Sequence, residues 1–593
     1  MLSTGVVGEG SDVDAWLGTD RPVRRIVVLL GSHRWLSLLQ GFASMMEGLL
    51  EAAILALVAQ VGLEVIGSES VGSLPLLGSL EIGTVLLLLP LAVVLRLAFG
   101  VVAPLVAAAI STSVTFETRL RLLTAYRRSS FLRQQEIGEG QLQQLMITYP
   151  QQIGATVGSL LAYLSNFIIM LAMLGLAFTT EPATSAGLVV ALVVLSVLFI
   201  PLRRRIRGLS RDLIRRQEES ALAVDELSNL RYEARAFGVG GQLAARVEAE
   251  FWAEAKTRRR TASVKGLVSP FYVAVTYGAV TVGLVIARGA ASIELAGLAP
   301  VLLIILRSLS YGQSIQQASA TVAAFGPLLD RVAVAVGRLE EQESAMKGPE
   351  LRGIERIELR SVTFRYEGAG YDSVSDISLT IRSGDRIGII GPSGSGKTTL
   401  TRLILGLLRP TAGKIIINDT TLGSVNEDSF REQLAVVSQT PGLLRGTIHD
   451  NVRFFRDGID VTQIAEALSS ADLDSELDKM PQGLETRLGL GGAELSGGQA
   501  QRLTVARALA GEPRLIVMDE PTSAIDGGSE KQISRAFERL DNDSLLVVVS
   551  HRLNVLKGCN KIIVLENGRV SACGSWADVV ASSSYVKSLR ESP

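Results

Sequence analysis

Gly391-Pro392-Ser393-Gly394-Ser395-Gly396-Lys397-Thr398 is the stretch that decides how the rest of the chain is read. It fits G-x-x-x-x-G-K-[ST] and follows the apolar run Ile387-Gly388-Ile389-Ile390, which reads as a buried strand. Thr399 to Leu408 are apolar and helix-compatible, so the glycines fall in a strand-to-helix turn. Glycine lets the backbone curl until several N–H groups point inward, and the helix N-terminus adds its positive dipole. The pattern predicts a polyphosphate cradle. Lys397 would reach the β- and γ-phosphates, and Thr398 Oγ would ligate Mg2+.

Two further stretches supply what such a cradle needs for hydrolysis. Leu515-Ile516-Val517-Met518-Asp519-Glu520 reads as a buried strand next to that of the phosphate loop. Asp519 at its end is expected to orient Mg2+, and Glu520 to polarise the attacking water. Leu495-Ser496-Gly497-Gly498-Gln499 opens a helix-like run and makes a second anion-binding N-terminus. One ATP and two anion sites in a single chain point to dimerisation.

The chain ahead of this region is different in kind. The full chain's 593 residues exceed one core, its net charge is −1, and 47% of it is hydrophobic, with the apolar residues concentrated in the first 330 positions. With a pI near 6.4, no basic field argues for nucleic acid, and none is expected as a partner. Mean hydropathy is +0.33. Six apolar segments, at about 36–62, 82–113, 152–178, 183–203, 266–288 and 296–322, are long enough to span a bilayer. Gly62 to Glu81 and the turn at Thr179-Thr180-Glu181-Pro182 lack Lys and Arg, whereas Arg119 to Arg133 and Arg203 to Lys265 are basic. Lys and Arg mark the cytoplasmic side, so both termini and the phosphate-binding region are expected there, in a multi-pass protein of the inner (plasma) membrane.

The polar excursions at about 114–151 and 204–265 read as membrane helices continuing into the cytosol and turning back. Arg21 to Arg34 is an amphipathic segment suited to the membrane surface. Met1 to Asp20 lacks the basic and apolar regions of a cleaved signal peptide. Cys559 and Cys573 are expected to be free thiols, and the three histidines form no metal cluster. The expected organisation is a tail (1–20), a six-helix transmembrane domain (21–338), a charged linker (339–353) and an α/β domain (354–593).

From about Ile357 to Val580 the chain resembles the nucleotide-binding domain of an ABC transporter, and Leu495 to Gln499 matches that family's signature motif. With six spans ahead, roughly 21–590 resembles an exporter-type half-transporter. The fold class implied is a polytopic α-helical membrane domain followed by an α/β P-loop NTPase. The resemblance implies that two such domains sandwich two ATPs, each phosphate loop facing the partner's Ser496, Gly497, Gly498 and Gln499. It implies ATP contacts from Gly391, Ser393, Gly394, Ser395, Gly396, Lys397, Thr398 and Thr399, with Tyr366 stacking on adenine. Gln439 matches the glutamine that contacts Mg2+ and water, and His551 the histidine that senses the γ-phosphate. Ser523-Ala524-Ile525-Asp526 matches a loop contacting the opposite site. Thr486 to Gly492 resembles the loop that touches the cytosolic helix tips, with Leu490 where the family usually has Glu. Because Glu520, His551 and Ser496 are all present, a homodimer is allowed, and a heterodimer stays open.

The cargo is written less plainly. Ionisable groups inside spans are costly, which singles out Glu47, Glu51, Arg96 and Arg307. The arginines either face a cavity and hold a phosphate or carboxylate of an amphipathic lipid, or pair with Glu47 and Glu51. The membrane half is similar to flippases of lipid-linked oligosaccharides, with those two arginines in matching segments. The expected function is ATP-driven export or flipping of a lipid, glycolipid, peptide or drug, with membrane lipid as a partner. The alternatives are a siderophore-type importer in the same architecture and an ATP-gated channel or regulator, and the intact Glu520 favours a hydrolysing pump.

Overall fold

The computed structural model describes residues 33–65, 82–180, 182–289, 299–340, 348–489, 495–520 and 543–591. Most of Arg21–Arg34, Leu490 to Gly492, Ser523 to Asp526 and part of the linker lie outside the described residues. The chain divides into two compact units, one formed by 1–129 and 133–343, the other by 130–132 and 344–593.

The first unit is helical. Its long helices are α1 (Arg34–Val65), α2 (Ile82–Arg128), α3 (Tyr149–Thr180), α4 (Pro182–Leu198), α5 (Ile200–Asn229), α6 (Gly240–Gly266), α7 (Val268–Gly289) and α8 (Ala299–Glu340). Helix α2 has 47 residues, roughly 70 Å at 1.5 Å per residue, so it outruns a bilayer core by half its length. Helix α2 carries the first part of the polar excursion at about 114–151, whereas the one at about 204–265 folds as the separate helices α5 and α6. Among the described residues, four helices are long and apolar enough to cross a membrane, within Arg34–Val58, Gly83–Arg128, Gly140–Leu176 and Leu306–Glu340. Leu87, Val94, Leu97 and Leu105 of α2 are exposed, as expected of a helix solvated by lipid rather than water.

Helices α4 and α7 coincide with the other two apolar segments. Helix α4 has only 17 residues, because the chain turns at Phe199 before α5 begins with Pro201 near its start. Proline lacks an N–H and its ring crowds the carbonyl four residues back, which breaks the helical ladder. Arg203 repairs the break, donating to the Ser196 carbonyl (2.7 Å) and to Ser319 Oγ on α8 (3.1 Å).

Helix α3 packs against α1, α2 and α8. It approaches α2 through Gly154, whose carbonyl accepts from Ser111 Oγ at 2.7 Å. A Cβ at Gly154 would sit 2.0 Å from Thr115 Oγ1 and 2.8 Å from the Ser111 carbonyl oxygen. Helices α1, α2 and α8 are tied by one carboxylate. Glu51, 5% exposed, accepts from Arg96 at 3.0 Å and from both Arg307 and Tyr311. A buried carboxylate is tolerable only when so compensated, and removing a partner typically costs about 3–5 kcal/mol.

Among its described residues, the second unit contains ten strands in two sheets. The antiparallel sheet has the order β2 (Val374–Arg382), β1 (Arg356–Phe364), β4 (Ala412–Ile417), β5 (Thr420–Thr421). The larger sheet runs β10 (Arg569–Gly574), β9 (Lys561–Glu566), β3 (Arg386–Ile390), β8 (Leu545–Val549), β7 (Leu515–Asp519), β6 (Leu434–Val437). All neighbours there are parallel except β9 and β10. The strand ending in Asp519 does not adjoin β3, as its sequence suggested; β8 lies between them. Parallel strands are joined by crossovers, so chain order does not set spatial order, and the wholly buried Leu545-Leu546-Val547-Val548-Val549 takes the more central place.

The Gly154 crossing yields a stability prediction. Gly154→Val should lower the unfolding temperature of the lipid-reconstituted protein, corresponding to about 1–3 kcal/mol of overpacking. Gly175→Ala, at an exposed glycine with open space around its Cβ position, should not. Equal unfolding temperatures for Gly154→Val and the parent would contradict the close approach.

Candidate functional site

The larger sheet delivers the site through its register. Ile389 of β3 pairs with Val549 of β8, Asp519 of β7 with Val549, and Val437 of β6 with Met518. The segments leaving these four strands therefore emerge side by side at their carboxyl ends, where open parallel sheets place ligands. Those segments carry Gly391 to Lys397, His551, Glu520 and Gln439.

The loop after β3 turns into the helix Lys397–Ile404. Gly394 and Gly396 have φ of +78° and +97°. Gly396 is the stricter requirement, because a Cβ there would also stand 2.2 Å from the Ser373 carbonyl oxygen. Lys397 is 7% exposed and its Nζ donates to the Gly391 and Pro392 carbonyls at 2.9 Å each. Burial pushes its ammonium below the ordinary lysine value, while Glu520 and Asp519 pull it back up. Ser393 is exposed, whereas Ser395 is buried within the loop and its Oγ has no partner among the described residues.

Asp519 accepts from the Thr398 hydroxyl, and burial together with the neighbouring Glu520 charge pushes its carboxyl above the usual range. A carboxylate beside a threonine oxygen is a donor set that a hard divalent cation such as Mg2+ fits, and the cation would favour the ionised form that burial disfavours. Glu520 sits at φ +47°, an uncommon conformation for a side-chain-bearing residue, and its N–H donates to the Val549 carbonyl at 2.9 Å. Its carboxylate is held on both sides. Gln439 Nε2 donates to Oε2 at 2.9 Å, and His551 Nε2 lies 3.0 Å from Oε1. Thus Lys397, Thr398, Asp519, Glu520, Gln439 and His551 come together in one place.

Tyr366 and the serine-glycine motif stand apart from that group. The Tyr366 ring packs edge-on against Phe364 with centroids 4.9 Å apart, and its hydroxyl lies 3.3 Å from Thr399 Oγ1. Ser496 caps the helix Gly497–Leu509. Its Oγ accepts from the Gln499 N–H (3.2 Å), and Gln499 Oε1 accepts from the Ser496 N–H (2.9 Å). Among the described residues, no hydrogen bond joins Ser496 to Gln499 with Gly391 to Thr398.

Sequence reasoning missed Gln501. It is 3% exposed, and its Nε2 donates to the Ser438 carbonyl at 3.1 Å, tying the Ser496-capped helix to the segment carrying Gln439. The available signal was an amide among Ala500, Leu503 and Val505, where a buried polar group must find a partner. In the first unit, Arg96 and Arg307 both pair with Glu51, and Glu47 lies across from Gly100, whose Cβ position is 3.3 Å from Glu47 Oε1.

Residues 374–523 match the family model described as ABC transporter. The chain is 35% identical over 250 residues to the ATP-dependent lipid A-core flippase of Neisseria meningitidis, covering 42% of this chain and 40% of that one. It is 30% identical over 409 residues to the flippase of the same name from Bordetella avium, covering 65% and 66%. ABC transporter B family member 13 of Arabidopsis thaliana is 37% identical over 225 residues, 38% of this chain and 18% of its own length. The chain thus spans less than half the length of the first curated relatives it matches. Among solved structures, a bacterial Atm1-family ABC exporter with ATP bound superposes with a TM-score of 0.78 over 96% of this chain and 99% of the other, at 21% identity.

Asp519 gives a testable sign. Its folded-state pKa lies above the unfolded one, so its contribution to stability declines as pH rises through the carboxylate range. Asp519→Asn should therefore unfold at a higher temperature than the parent without nucleotide at neutral pH, and the difference should shrink on acidification. A gap that widens towards acid would refute the assignment. The second unit is an ABC transporter domain, fused behind a helical domain in the fold of the ABC exporters.

Proposed function

We propose that this chain is one half of an ATP-driven exporter or flippase of amphipathic lipids or glycolipids, working as a dimer of two copies. The observation that carries the reading is the Glu520 carboxylate, fixed between Gln439 and His551 beside Lys397, Thr398 and Asp519. A carboxylate so oriented accepts the proton-bearing O–H of a water aimed at a terminal phosphate. Lys397 is placed to offset charge developing on the phosphoryl oxygens. Thr398 and Gln439, with Asp519 through water, would hold Mg2+, which when bound neutralises the β- and γ-phosphate oxygens. Tyr366 would stack on adenine. Ser496, Gly497, Gly498 and Gln499 would complete the pocket of the second copy, since one chain holds these residues and the loop at Gly391 in separate places.

In the helical unit the reading takes α1, α2, α3, α4 continuing past Phe199, α7 and α8 as six spans, within a transmembrane domain of about 21–338. The linker (339–353) and the nucleotide-binding domain (354–593) follow on the cytoplasmic side. Two relatives named lipid A-core flippases support a lipidic cargo. Arg96 and Arg307 keep a third or more of their side chains exposed while bonded to Glu51. They would exchange that carboxylate, with Glu47 close by, for an acidic headgroup.

Two measurements test the reading. In lipid nanodiscs, Glu520→Gln should lower ATPase kcat by about 10²- to 10⁴-fold, the range for loss of a positioned base. Undiminished turnover would remove Glu520 from the chemistry. In proteoliposomes, ATP should speed the appearance of a fluorescent glycolipid in the opposite leaflet, and Glu520→Gln should abolish that gain. Equal rates with and without ATP would sink the flippase reading while leaving the ATPase intact.

A further inference from the structure

A cavity of about 490 Å³ opens in the first unit between α5, α6 and the segment leading into α3. Its floor comes from an irregularity: Gln144–Thr148 forms a π-helical turn between the short helix Glu139–Gln143 and α3. Such turns widen a helix locally and recur at binding sites. Here Gln143, Gln144, Thr148 and Tyr149 all line one space. The volume suits a ligand of small organic size rather than a bare ion.

The lining has one sign. Asp225 and Glu254 are its charged residues, and it contains no Lys, Arg or His. The carboxylates nearby are neutralised one by one. Glu218 takes a bidentate pair from Arg331, Glu219 pairs with Arg216, Glu226 with Arg246, and Glu254 with Arg258. Asp225 has no hydrogen bond or ion pair among the described residues. It is half-buried behind Gly140, where a Cβ would lie 3.8 Å from its own. A second group also lacks a partner: Ser220 lines the cavity, is 4% exposed, and its hydroxyl is unsatisfied. Phe251, about half exposed, presents an apolar ring to the same space. Acceptor oxygens, an unneutralised carboxylate and an aromatic face together select an ammonium group on an aliphatic chain.

We propose that this cavity is a binding site for a linear aliphatic polyamine, its ammonium held by Asp225 and its methylenes lying along Phe251. The site belongs to the helical unit and is separate from the nucleotide residues, so binding does not depend on the function proposed above.

The full-length protein in nanodiscs of uncharged lipid, titrated with radiolabelled spermidine in equilibrium dialysis, tests this. Saturable binding of one spermidine per chain is expected, weakened about tenfold or more in Asp225→Asn, as for the loss of a half-buried charge partner. Ser228→Lys, which puts a cation on an exposed part of the wall, should abolish it. Asp457→Asn, at a fully exposed carboxylate in the other unit, should leave it unchanged. No saturable binding to the parent, or equal binding by the parent and whichever of the two cavity variants folds, overturns the proposal. ATPase rates with and without spermidine then report whether occupancy is felt by the nucleotide domain.

Discussion

The nucleotide half of this molecule depends on parallel strand register. With Ile389 level with Val549, and Asp519 with Val549 in turn, the sheet sets four loop starts at one height. Each loop contributes one or two polar side chains, and none needs a long excursion to reach the others. A slip of one residue in β7 would turn Asp519 and Glu520 to opposite faces, because side chains alternate along a strand. The apolar runs Leu515–Met518 and Leu545–Val549, buried on both faces, resist that slip. Burial also explains the direction in which two of these groups are shifted. The same packing that fixes the register removes water from Lys397 and Asp519, pushing their ionisation towards neutrality and leaving them responsive to incoming charge.

The helical unit solves a different problem with the same economy. On α2, Leu87, Val94, Leu97 and Leu105 face outward, while Val106, Ile110, Val114 and Leu122 pack with α3 and α8; in a lipid-facing stretch the outward residues do not drive association. Close backbone approach at Gly154 and the Glu51 knot take over. Each is specific where a greasy interface would be permissive.

Much of this was legible in the residues. The phosphate loop, the Asp519-Glu520 pair and the capping serine were readable because glycine, charge and helix-entry preferences act locally. The helical character of the polar excursions followed from periodicity and the scarcity of proline, although the one at about 204–265 folds as helices of its own. What escaped was non-local. The place of β8 between β3 and β7 is a choice among crossovers that chain order leaves open. The break at Phe199 was signalled by Pro201, yet the surrounding hydropathy hid it within one apolar run. For Arg96 and Arg307 the residues left two readings open, a cavity or a pairing with Glu47 and Glu51; that both choose Glu51 is set by helix rotation, which composition does not encode.

The cap on the helix Gly497–Leu509 has its own corollary. Ser496 Oγ spends a lone pair on the Gln499 N–H, and a hydroxyl retains its hydrogen when it accepts. One atom is thus both a structural anchor and an available donor pointed outward from the same helix entrance. Alanine would erase the two roles together, and the helix-entry share alone is about 1 kcal/mol. Asparagine would keep the anchor through its carbonyl while offering an amide hydrogen of different reach. Any loss of turnover seen with alanine at this position is therefore a composite, and only the asparagine comparison divides the fraying of a helix from the loss of a ligand contact.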